Sequence, residues 1–331
     1  MRLPHFDLHQ PSTLEEAFSL MEGGALALAG GTDLIPLMKY GLEVPSTLVS
    51  LKRVDCLKSI ARRDGGVFIG AMTSLAELAS SRIISENFAA LFQAARSVAA
   101  PPIWNVATVG GNICQDSRCL YYNQSRAWRL EKPACLKAGG NVCHAVPKGK
   151  KCFSVYSGDL APALAALGAM ARVEKKGGSR SVSILELFSS NGLRPFTLEK
   201  EEIVTGVEIA LPAKSTNSSY RKMRARPSVD YPLVSAAACV TRDGGGKIEK
   251  MRLVLGAVGP SPALVYGAGR LFEGNTLEEA DWEAFSELVG KDVRMVDNLS
   301  YPGSYRKEMV PIIAARAVRA ACGPGGGEEN A

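Results

Sequence analysis

The amino-acid sequence predicts an α+β protein with more than one domain. Its 331 residues are 46% hydrophobic and 22% charged, which is typical of a soluble globular chain long enough for two or three domain cores. Short helical and strand patterns alternate along most of this length. A polar, turn-rich stretch from Pro212 to Ser219 predicts a linker between an amino-terminal and a carboxy-terminal domain.

The amino-terminal elements are predicted from capping residues and apolar periodicity. Ser12 and Thr13 stand where a helix cap is expected, and Glu77 follows Ser74 at the spacing of a capping box. The elements predicted here are a helix Leu14–Met21, strands Ala25–Leu28 and Thr47–Leu51, a strand Val67–Ile69, a helix that begins near Ser74, and a long apolar helix Asn87–Ala99. We expect them to form two small mixed units, divided near residue 55.

The later elements follow the same rules. Residues Asp159–Val173 predict a buried helix followed by a strand, and Glu202–Leu211 predicts an alternating strand. Beyond the linker we expect strands Ser235–Thr241 and Lys250–Val258 around the turn Asp243–Gly246, a helix Tyr305–Ala321, and a frayed tail over residues 323–331.

Membrane insertion, export and nucleic-acid binding are not expected. The uncharged run Leu160–Ala171 is roughly half of the ~20 residues that a bilayer-spanning helix needs. The first residues lack the apolar core of a secretory signal, and no nucleic-acid-binding signature occurs. We therefore expect a cytoplasmic protein whose eight cysteines are mostly reduced thiols.

Two glycine turns are candidates for holding an anionic cofactor. The first, Ala29-Gly30-Gly31-Thr32-Asp33, follows a predicted strand, and its backbone N–H groups can face a diphosphate with no Cβ in the way. Taken alone, a Gly-Gly pair is more typical of a plain turn. A second turn, Thr108-Val109-Gly110-Gly111-Asn112, offers the same chemistry, and two nests can grip one long cofactor. Neither turn matches the Rossmann or phosphate-loop pattern.

Four cysteines lie in a stretch without predicted regular structure. Cys119, Cys135, Cys143 and Cys152 stand among Gly, Pro, Asn and Lys residues. A loop of about forty residues without a core is expected to be ordered only if something ties it down, as four thiolates on one metal centre would. The spacing leaves an iron–sulfur cluster, structural zinc and four unrelated thiols open, although zinc usually brings Cys-x₂-Cys pairs and none occurs here.

The positive charge of the chain is concentrated in the same stretch. Between Cys114 and Tyr156 there are eight Lys or Arg residues and two acids, a formal charge of +6, which equals that of the whole chain. The charge either compensates the thiolates of a metal centre or steers an acidic electron carrier towards it. The rest of the chain is balanced, which is not the pattern of a general nucleic-acid binder.

The two glycine turns resemble the paired loops of the FAD domain in the flavoprotein subunits of the xanthine oxidase family. The likeness continues through Ser157–Leu164, Glu202–Val204, Tyr220–Lys222 with Arg226 and Asp230, and Tyr305–Lys307. It implies a two-subdomain domain of the vanillyl-alcohol-oxidase/PCMH type over residues 1–214 (subdomains about 1–55 and 56–214), followed by a CO dehydrogenase flavoprotein-type α+β domain over 218–322.

The resemblance also implies which residues hold FAD. They are Ala29, Gly30, Gly31, Thr32, Asp33 and Leu34 of the first turn, Thr108, Val109, Gly110, Gly111 and Asn112 of the second, and Asp159, Val204 and Lys222 near the flavin. Without the resemblance, Lys222 is better interpreted as a solvated surface charge. With it, Lys222 is expected to stabilise negative charge on a reduced flavin.

The inserted residues 114–156 resemble one branch of this family, the enzymes that reduce 4-hydroxybenzoyl-CoA. The branch carries a [4Fe–4S] cluster in such an insertion, which implies Cys119, Cys135, Cys143 and Cys152 as its ligands here. Cys114 is then extra and partly buried, and Cys56, Cys239 and Cys322 are expected to be structural. For His144, beside a ligand, a plain polar role in the loop is favoured over an iron or proton role.

The function implied is electron transfer within a larger enzyme. Electrons would pass from ferredoxin through the [4Fe–4S] cluster and FAD to two [2Fe–2S] clusters on a small partner and to molybdenum on a large partner, in a dimer of heterotrimers that converts 4-hydroxybenzoyl-CoA to benzoyl-CoA. No catalytic residue is expected in this chain, which has three histidines. The alternatives are another molybdenum hydroxylase of the family and a zinc-stabilised, non-redox assembly module.

Overall fold

The computed structural model describes residues 2–291 and 293–323, and it confirms the α+β class. The described residues form four sheets, one in a small amino-terminal unit, two in the middle of the chain and one in the carboxy-terminal part. Within the described ranges no helix has both the length and the apolar character needed to cross a membrane. The predicted tail lies outside these ranges except for Gly323.

The amino-terminal unit is a three-stranded parallel sheet with two helices. Its elements are β1 (Asp7–His9), α1 (Leu14–Glu22), β2 (Leu26–Leu28), α2 (Leu34–Lys39) and β3 (Thr47–Ser50). Strand β3 lies in the centre, paired with β1 and β2. Thr13 caps α1 by accepting a hydrogen bond from the Glu16 N–H at 3.2 Å, as predicted.

The middle of the chain combines a five-stranded antiparallel sheet with a group of short helices. In chain order the elements are β4 (Ile60–Arg63), β5 (Gly66–Gly70), α3 (Leu75–Ser80), α4 (Arg82–Asn87), α5 (Ala89–Ser97), α6 (Pro101–Trp104), α7 (Val109–Ile113), α8 (Arg126–Leu130), α9 (Leu160–Ala166), β6 (Met170–Lys175), β7 (Gly178–Ser183), β8 (Phe188–Asn191), β9 (Arg194–Phe196) and β10 (Ile203–Ala210). The sheet order is β4-β5-β10-β6-β7, while β8 and β9 form a separate hairpin. The capping box of Ser74 and Glu77 is present at the start of α3.

The carboxy-terminal part is an antiparallel sheet covered by helices. Its elements are β11 (Thr216–Met223), β12 (Val234–Arg242), β13 (Ile248–Gly256), β14 (Ala263–Leu264), α10 (Ala268–Phe272), α11 (Trp282–Lys291) and α12 (Gly303–Cys322). The strands follow one another in the sheet in chain order. Alternate residues of β12, among them Val234, Ala236 and Ala238, face a core shared with α10, α11 and α12.

Two sequence predictions are wrong in part. The linker prediction Pro212–Ser219 extends too far, because Thr216–Ser219 belong to β11. The buried Ser219 hydroxyl donates to the Ala317 carbonyl at 2.6 Å, so a polar side chain is accommodated inside the structure. The predicted helix Asn87–Ala99 is interrupted at Phe88, whose φ of −135° ends α4 before α5 begins.

Helix α9 connects the middle of the chain to the carboxy-terminal sheet. Each of its residues is buried, as expected for a helix with protein on all sides. It contacts α5 on one side and β12 and β13 on the other. The close approach at β13 needs a glycine, since a Cβ on Gly256 would come within 2.7 Å of the Pro162 ring.

The inserted segment is closed at its base and anchored to the carboxy-terminal part. Arg118 and Val155 exchange two backbone hydrogen bonds of 2.7 Å, which close the excursion. The Asn298 carbonyl accepts the Leu120 N–H at 2.9 Å, and the Asn298 amide donates to the Phe153 carbonyl. Asn298 therefore holds the backbone beside two of the four cysteines.

Arg306 of α12 holds Asn298 in place. Its side chain is fully buried and its guanidinium donates to the carbonyls of Val296 (2.6 Å) and Tyr301 (3.2 Å) and to the Asn298 Oδ1 (3.1 Å). Burial lowers the pKa of Arg306, because it disfavours the charged form. The three oxygens stabilise the charge by accepting its hydrogen bonds.

We expect Arg306→Met to destabilise the protein by about 2–4 kcal/mol, because it leaves the buried Asn298 Oδ1 and two further carbonyl acceptors without their donor. The matched control is Arg316→Met, an exposed arginine of the same helix. Thermal and denaturant unfolding of the two variants provide the measurement. Equal stabilities would show that the buried guanidinium contributes nothing.

Candidate functional site

Both predicted glycine turns line one cavity of about 610 Å³, which we call the glycine cavity. Residues 29–34, together with Thr108, Gly110 and Gly111, form one part of its wall. Another part comes from the end of β9 and the start of β10, including Phe196 and Val204. The volume is in the range of a cofactor site.

Both turns lie so close to neighbouring parts of the chain that side chains are excluded at their glycines. A Cβ on Gly30 would lie 1.9 Å from the Val106 carbonyl oxygen, and one on Gly110 would lie 2.7 Å from the Ala71 Cβ. Gly31 has φ +74°, a left-handed conformation that favours glycine. The glycines are therefore required by the path of the backbone around this cavity.

The turns differ in what their backbone N–H groups do. In the described ranges the N–H groups of Gly30, Gly31 and Thr32 have no protein acceptor, so the first turn has the donors that an anion needs. In the second turn, Gly110 donates to the Ala71 carbonyl at 2.8 Å and Gly111 to the Thr108 hydroxyl at 3.1 Å. The expectation of a second N–H nest is therefore wrong, because these N–H groups already donate to acceptors within the protein.

Asp33 ties the first turn to the inserted segment. Its carboxylate forms an ion pair with Arg118 and accepts the Asp116 N–H at 3.1 Å. Burial raises the pKa of Asp33, while the Arg118 guanidinium acts in the opposite direction. The guanidinium also lies 4.0 Å from the centre of the Tyr231 ring, so Arg118 joins three parts of the chain.

Four of the predicted FAD residues do not line this cavity. Val109 is buried in the core, and Asn112 accepts the Leu160 N–H at 3.0 Å at the start of α9. Asp159 and Lys222 form a buried ion pair at 3.1 Å. These residues position the turns and α9 from the protein side.

Lys222 is not the solvated surface charge that its sequence context favours. Its side chain is 4% exposed, and its ammonium donates to Asp159 and to the Ser97 carbonyl at 3.0 Å. The Tyr220 hydroxyl donates to the same carboxylate at 2.6 Å. Burial raises the pKa of Asp159 and Lys222 lowers it, so the two charges stabilise each other. Flavin contact by Lys222 stays a prediction.

One small cavity in the inserted segment, which we call the cysteine cavity, is lined by Cys119, Cys135, Cys143 and Cys152. The volume of this cavity is about 20 Å³, roughly one water molecule. No three Cys, His, Asp or Glu side chains of the described residues are grouped so that they could hold a single metal ion. Burial raises the pKa of the Cys119 thiol to about 11, so a metal that binds it would have to displace a proton.

The other cysteines and His144 are placed as follows. Cys114 is half-buried, lines the glycine cavity and has its pKa raised to about 12 by burial. Cys322 is buried, whereas Cys56 is exposed, contrary to the structural role expected of it. His144 lies 2.9 Å from the Pro133 carbonyl through its Nε2, which agrees with a polar role in the loop.

Two family models together match most of the chain. Residues 4–123 and 135–212 match the FAD binding domain in molybdopterin dehydrogenase, and residues 218–321 match the CO dehydrogenase flavoprotein C-terminal domain. The chain belongs to this family of molybdopterin dehydrogenase flavoproteins. The gap in the first match, residues 124–134, falls inside the inserted segment.

Similarity to individual members of the family extends along the chain. The FAD-binding subunit of an aldehyde oxidoreductase from Escherichia coli (strain K12) is 31% identical over 248 residues, 72% of this flavoprotein and 76% of the relative. The carbon monoxide dehydrogenase medium chain of Afipia carboxidovorans is 25% identical over 96% of both chains. A solved Cu,Mo-CO dehydrogenase chain superposes with a TM-score of 0.79 at 24% identity over 97% of this flavoprotein and 99% of that chain, which establishes the shared fold.

Several residues around the flavoprotein's glycine cavity were not predicted from sequence. Asp116 and Glu43 line it, and Arg118 supports it from the inserted segment. The sequence signal that could have found Asp116 and Arg118 is their position beside Cys119, in the segment that returns from the second glycine turn. Glu43 carries no comparable signal.

We expect Gly30→Ala to weaken FAD retention at least about tenfold, equivalent to about 1.4 kcal/mol, because the added methyl group displaces the Val106 backbone and with it the turn. The matched control is Gly178→Ala, where a Cβ meets no atom within 4 Å. Bound flavin per purified chain, read from its absorbance, is the measurement. Wild-type flavin content in Gly30→Ala would show that the close approach is unimportant.

Proposed function

We propose that this flavoprotein is the FAD- and [4Fe–4S]-carrying electron-transfer subunit of a molybdenum enzyme of the 4-hydroxybenzoyl-CoA reductase type. The observation that carries the proposal is that all four cysteines of the inserted segment line one cavity. That segment also contacts the wall of the glycine cavity through Asp33 and Arg118. One chain would thus hold two neighbouring redox groups.

The glycine cavity fits FAD in size and in donors. The free N–H groups of Gly30, Gly31 and Thr32 are suited to the diphosphate, and the Thr32 hydroxyl can add a further donor. Asp33, Leu34, Thr108, Gly110, Gly111 and Val204 also line the cavity and would contact the cofactor. Val109, Asn112, Asp159 and Lys222 do not line the cavity and would act on the cofactor through the residues that do.

The donor set of the second cavity suits an iron–sulfur cluster. Four thiolates are the usual ligands of a [4Fe–4S] centre. The cavity is small, so binding of a cluster would require the cysteine segments to rearrange, as expected for a centre that orders its own loop. The cluster would supply one-electron transfer, and FAD would supply the exchange between one- and two-electron steps.

The basic residues of the segment divide into two groups. Lys137 and Arg118 are paired with acids inside the protein, and Arg129 donates to the carbonyls of Tyr40, Gly41 and Gln124. The exposed members, which form no ion pair within the described ranges, are Arg126, Lys132, Lys148, Lys150 and Lys151. Only this second group is placed to steer an acidic carrier such as ferredoxin.

The proposal assigns substrate chemistry to partners. The chain would assemble with a large molybdopterin-binding subunit and a small subunit with two [2Fe–2S] clusters, in a dimer of heterotrimers, and molybdenum would act on 4-hydroxybenzoyl-CoA. The relatives' names include aldehyde, nicotinate, xanthine and carbon monoxide as substrates, so similarity alone favours no one substrate. Copurification of partners followed by an assay of benzoyl-CoA formation is the direct test.

The alternative proposals make different predictions for metal content. Another molybdenum hydroxylase of the family would contain FAD in this subunit and would not require iron in the inserted segment. A zinc-stabilised assembly module would contain about one zinc per chain and no flavin.

Anaerobically purified wild-type protein is expected to contain about four iron and four acid-labile sulfide per chain, and Cys119→Ser to lose most of both while retaining FAD. Cys239→Ser is the control, since Cys239 lies in β12, away from the cysteine cavity. Metal analysis and flavin absorbance distinguish the outcomes. Tight FAD without iron in the wild type would eliminate the cluster, and zinc in its place would support the assembly module.

Lys150→Glu combined with Lys132→Glu is expected to slow reduction by an acidic ferredoxin roughly tenfold or more at low ionic strength. Lys214→Glu, an exposed lysine far along the chain from the segment, should have little effect. Stopped-flow reduction of the flavin at increasing salt is the measurement, and the wild-type rate should fall as the charges are screened. A rate that is independent of salt would exclude steering.

A further inference from the structure

A partly buried ion pair lies between the cysteine cavity and the glycine cavity. The Lys137 ammonium, on a side chain that is 5% exposed, donates to the Asp116 carboxylate at 2.7 Å. It also donates to the Ser117 hydroxyl at 2.6 Å and to the Gly192 carbonyl at 3.1 Å. Three acceptors therefore fix the position of one charge.

The two members of this pair face different cavities. Lys137 follows Cys135 by two positions and lines the cysteine cavity. Asp116 lines the glycine cavity, and its N–H donates to Asp33 of the first glycine turn at 3.1 Å. A continuous series of contacts thus runs from the cysteine segment through Lys137 and Asp116 to the turn.

The charge of Lys137 acts beyond its own cavity. Glu43 lines the glycine cavity, and although burial and the neighbouring Asp116 raise its pKa, Lys137 lowers it. Charges that are shielded from water interact more strongly than exposed ones at the same separation. A cation at this place is therefore able to influence electron affinity in both cavities.

We propose that Lys137 is a positioning residue that sets the electron affinity of the group held by the cysteines and fixes that group relative to the flavin site through Asp116. The proposal rests on the function proposed above. A cation beside the cysteine cavity favours the reduced, more negative state of a cluster, and Asp116 moderates the effect. Removal of either charge should therefore shift the reduction potential, with opposite signs.

The test compares Lys137→Met, Lys137→Arg and Asp116→Asn in the anaerobically purified protein. We expect Lys137→Met to make reduction of the iron–sulfur centre at least about tenfold less favourable, which is 59 mV for a one-electron couple. Lys137→Arg should retain the wild-type potential, and Asp116→Asn should shift it in the positive direction. Redox titration followed by electron paramagnetic resonance for the cluster, and by absorbance for the flavin, is the measurement.

The control is Lys214→Met, an exposed lysine outside the segment, which should not shift the potential. If Lys137 were merely structural, Lys137→Met would lower the cluster content but leave the potential of the remaining clusters unchanged, which would overturn the proposal. Should Lys137→Met fail to load iron, the sign of the Asp116→Asn shift decides. A wild-type protein without iron would contradict the proposed function itself, a result that metal analysis separates from these.

Discussion

Closure of the inserted segment at its base is the interaction on which the arrangement of both sites depends. The Arg118–Val155 backbone bridge joins the two ends of an excursion of roughly 35 residues, whose closure costs on the order of 3 kcal/mol in chain entropy. Two hydrogen bonds contribute about 1 kcal/mol each. The fully buried Tyr156, whose hydroxyl donates to the Asn112 and Ile113 carbonyls at 3.1 and 2.9 Å, provides the remaining stabilisation by burying its ring against Phe188.

The same closure fixes the position of the cysteine segment relative to the second glycine turn. Asn112 belongs to the turn, contacts Tyr156 through its carbonyl and caps α9 through its side chain. Asp33 of the first turn is held by Arg118, the residue immediately before Cys119. A change at the Arg118–Val155 bridge would therefore displace both cavities. Residues that do not line a cavity, such as Asn112, thus help to determine its shape.

Local sequence signals predicted the helices and strands that depend on local interactions. Three kinds of signal predicted elements whose ends depend on nearby residues. They are the caps Thr13 and Ser74, the glycine turns, and the apolar period of α12. The division at Phe88 and the strand Thr216–Ser219 were missed, because burial against distant elements overrides a polar or periodic pattern. The buried state of Lys222 was likewise invisible, since its partner Asp159 lies 63 positions away in the chain.

The carboxy-terminal part explains how the inserted segment is supported without a core of its own. Asn298 holds the backbone at Leu120 and Phe153, and Arg306 holds Asn298 from a helix that belongs to a well-packed apolar cluster. This support consists of hydrogen bonds, which are directional, so it fixes the positions of the backbone groups at Leu120 and Phe153. An element that a sequence pattern assigns to a separate domain thus forms part of the scaffold of the cysteine cavity. The motif Tyr305-Arg306-Lys307 has a physical role at a site from which it is remote in sequence.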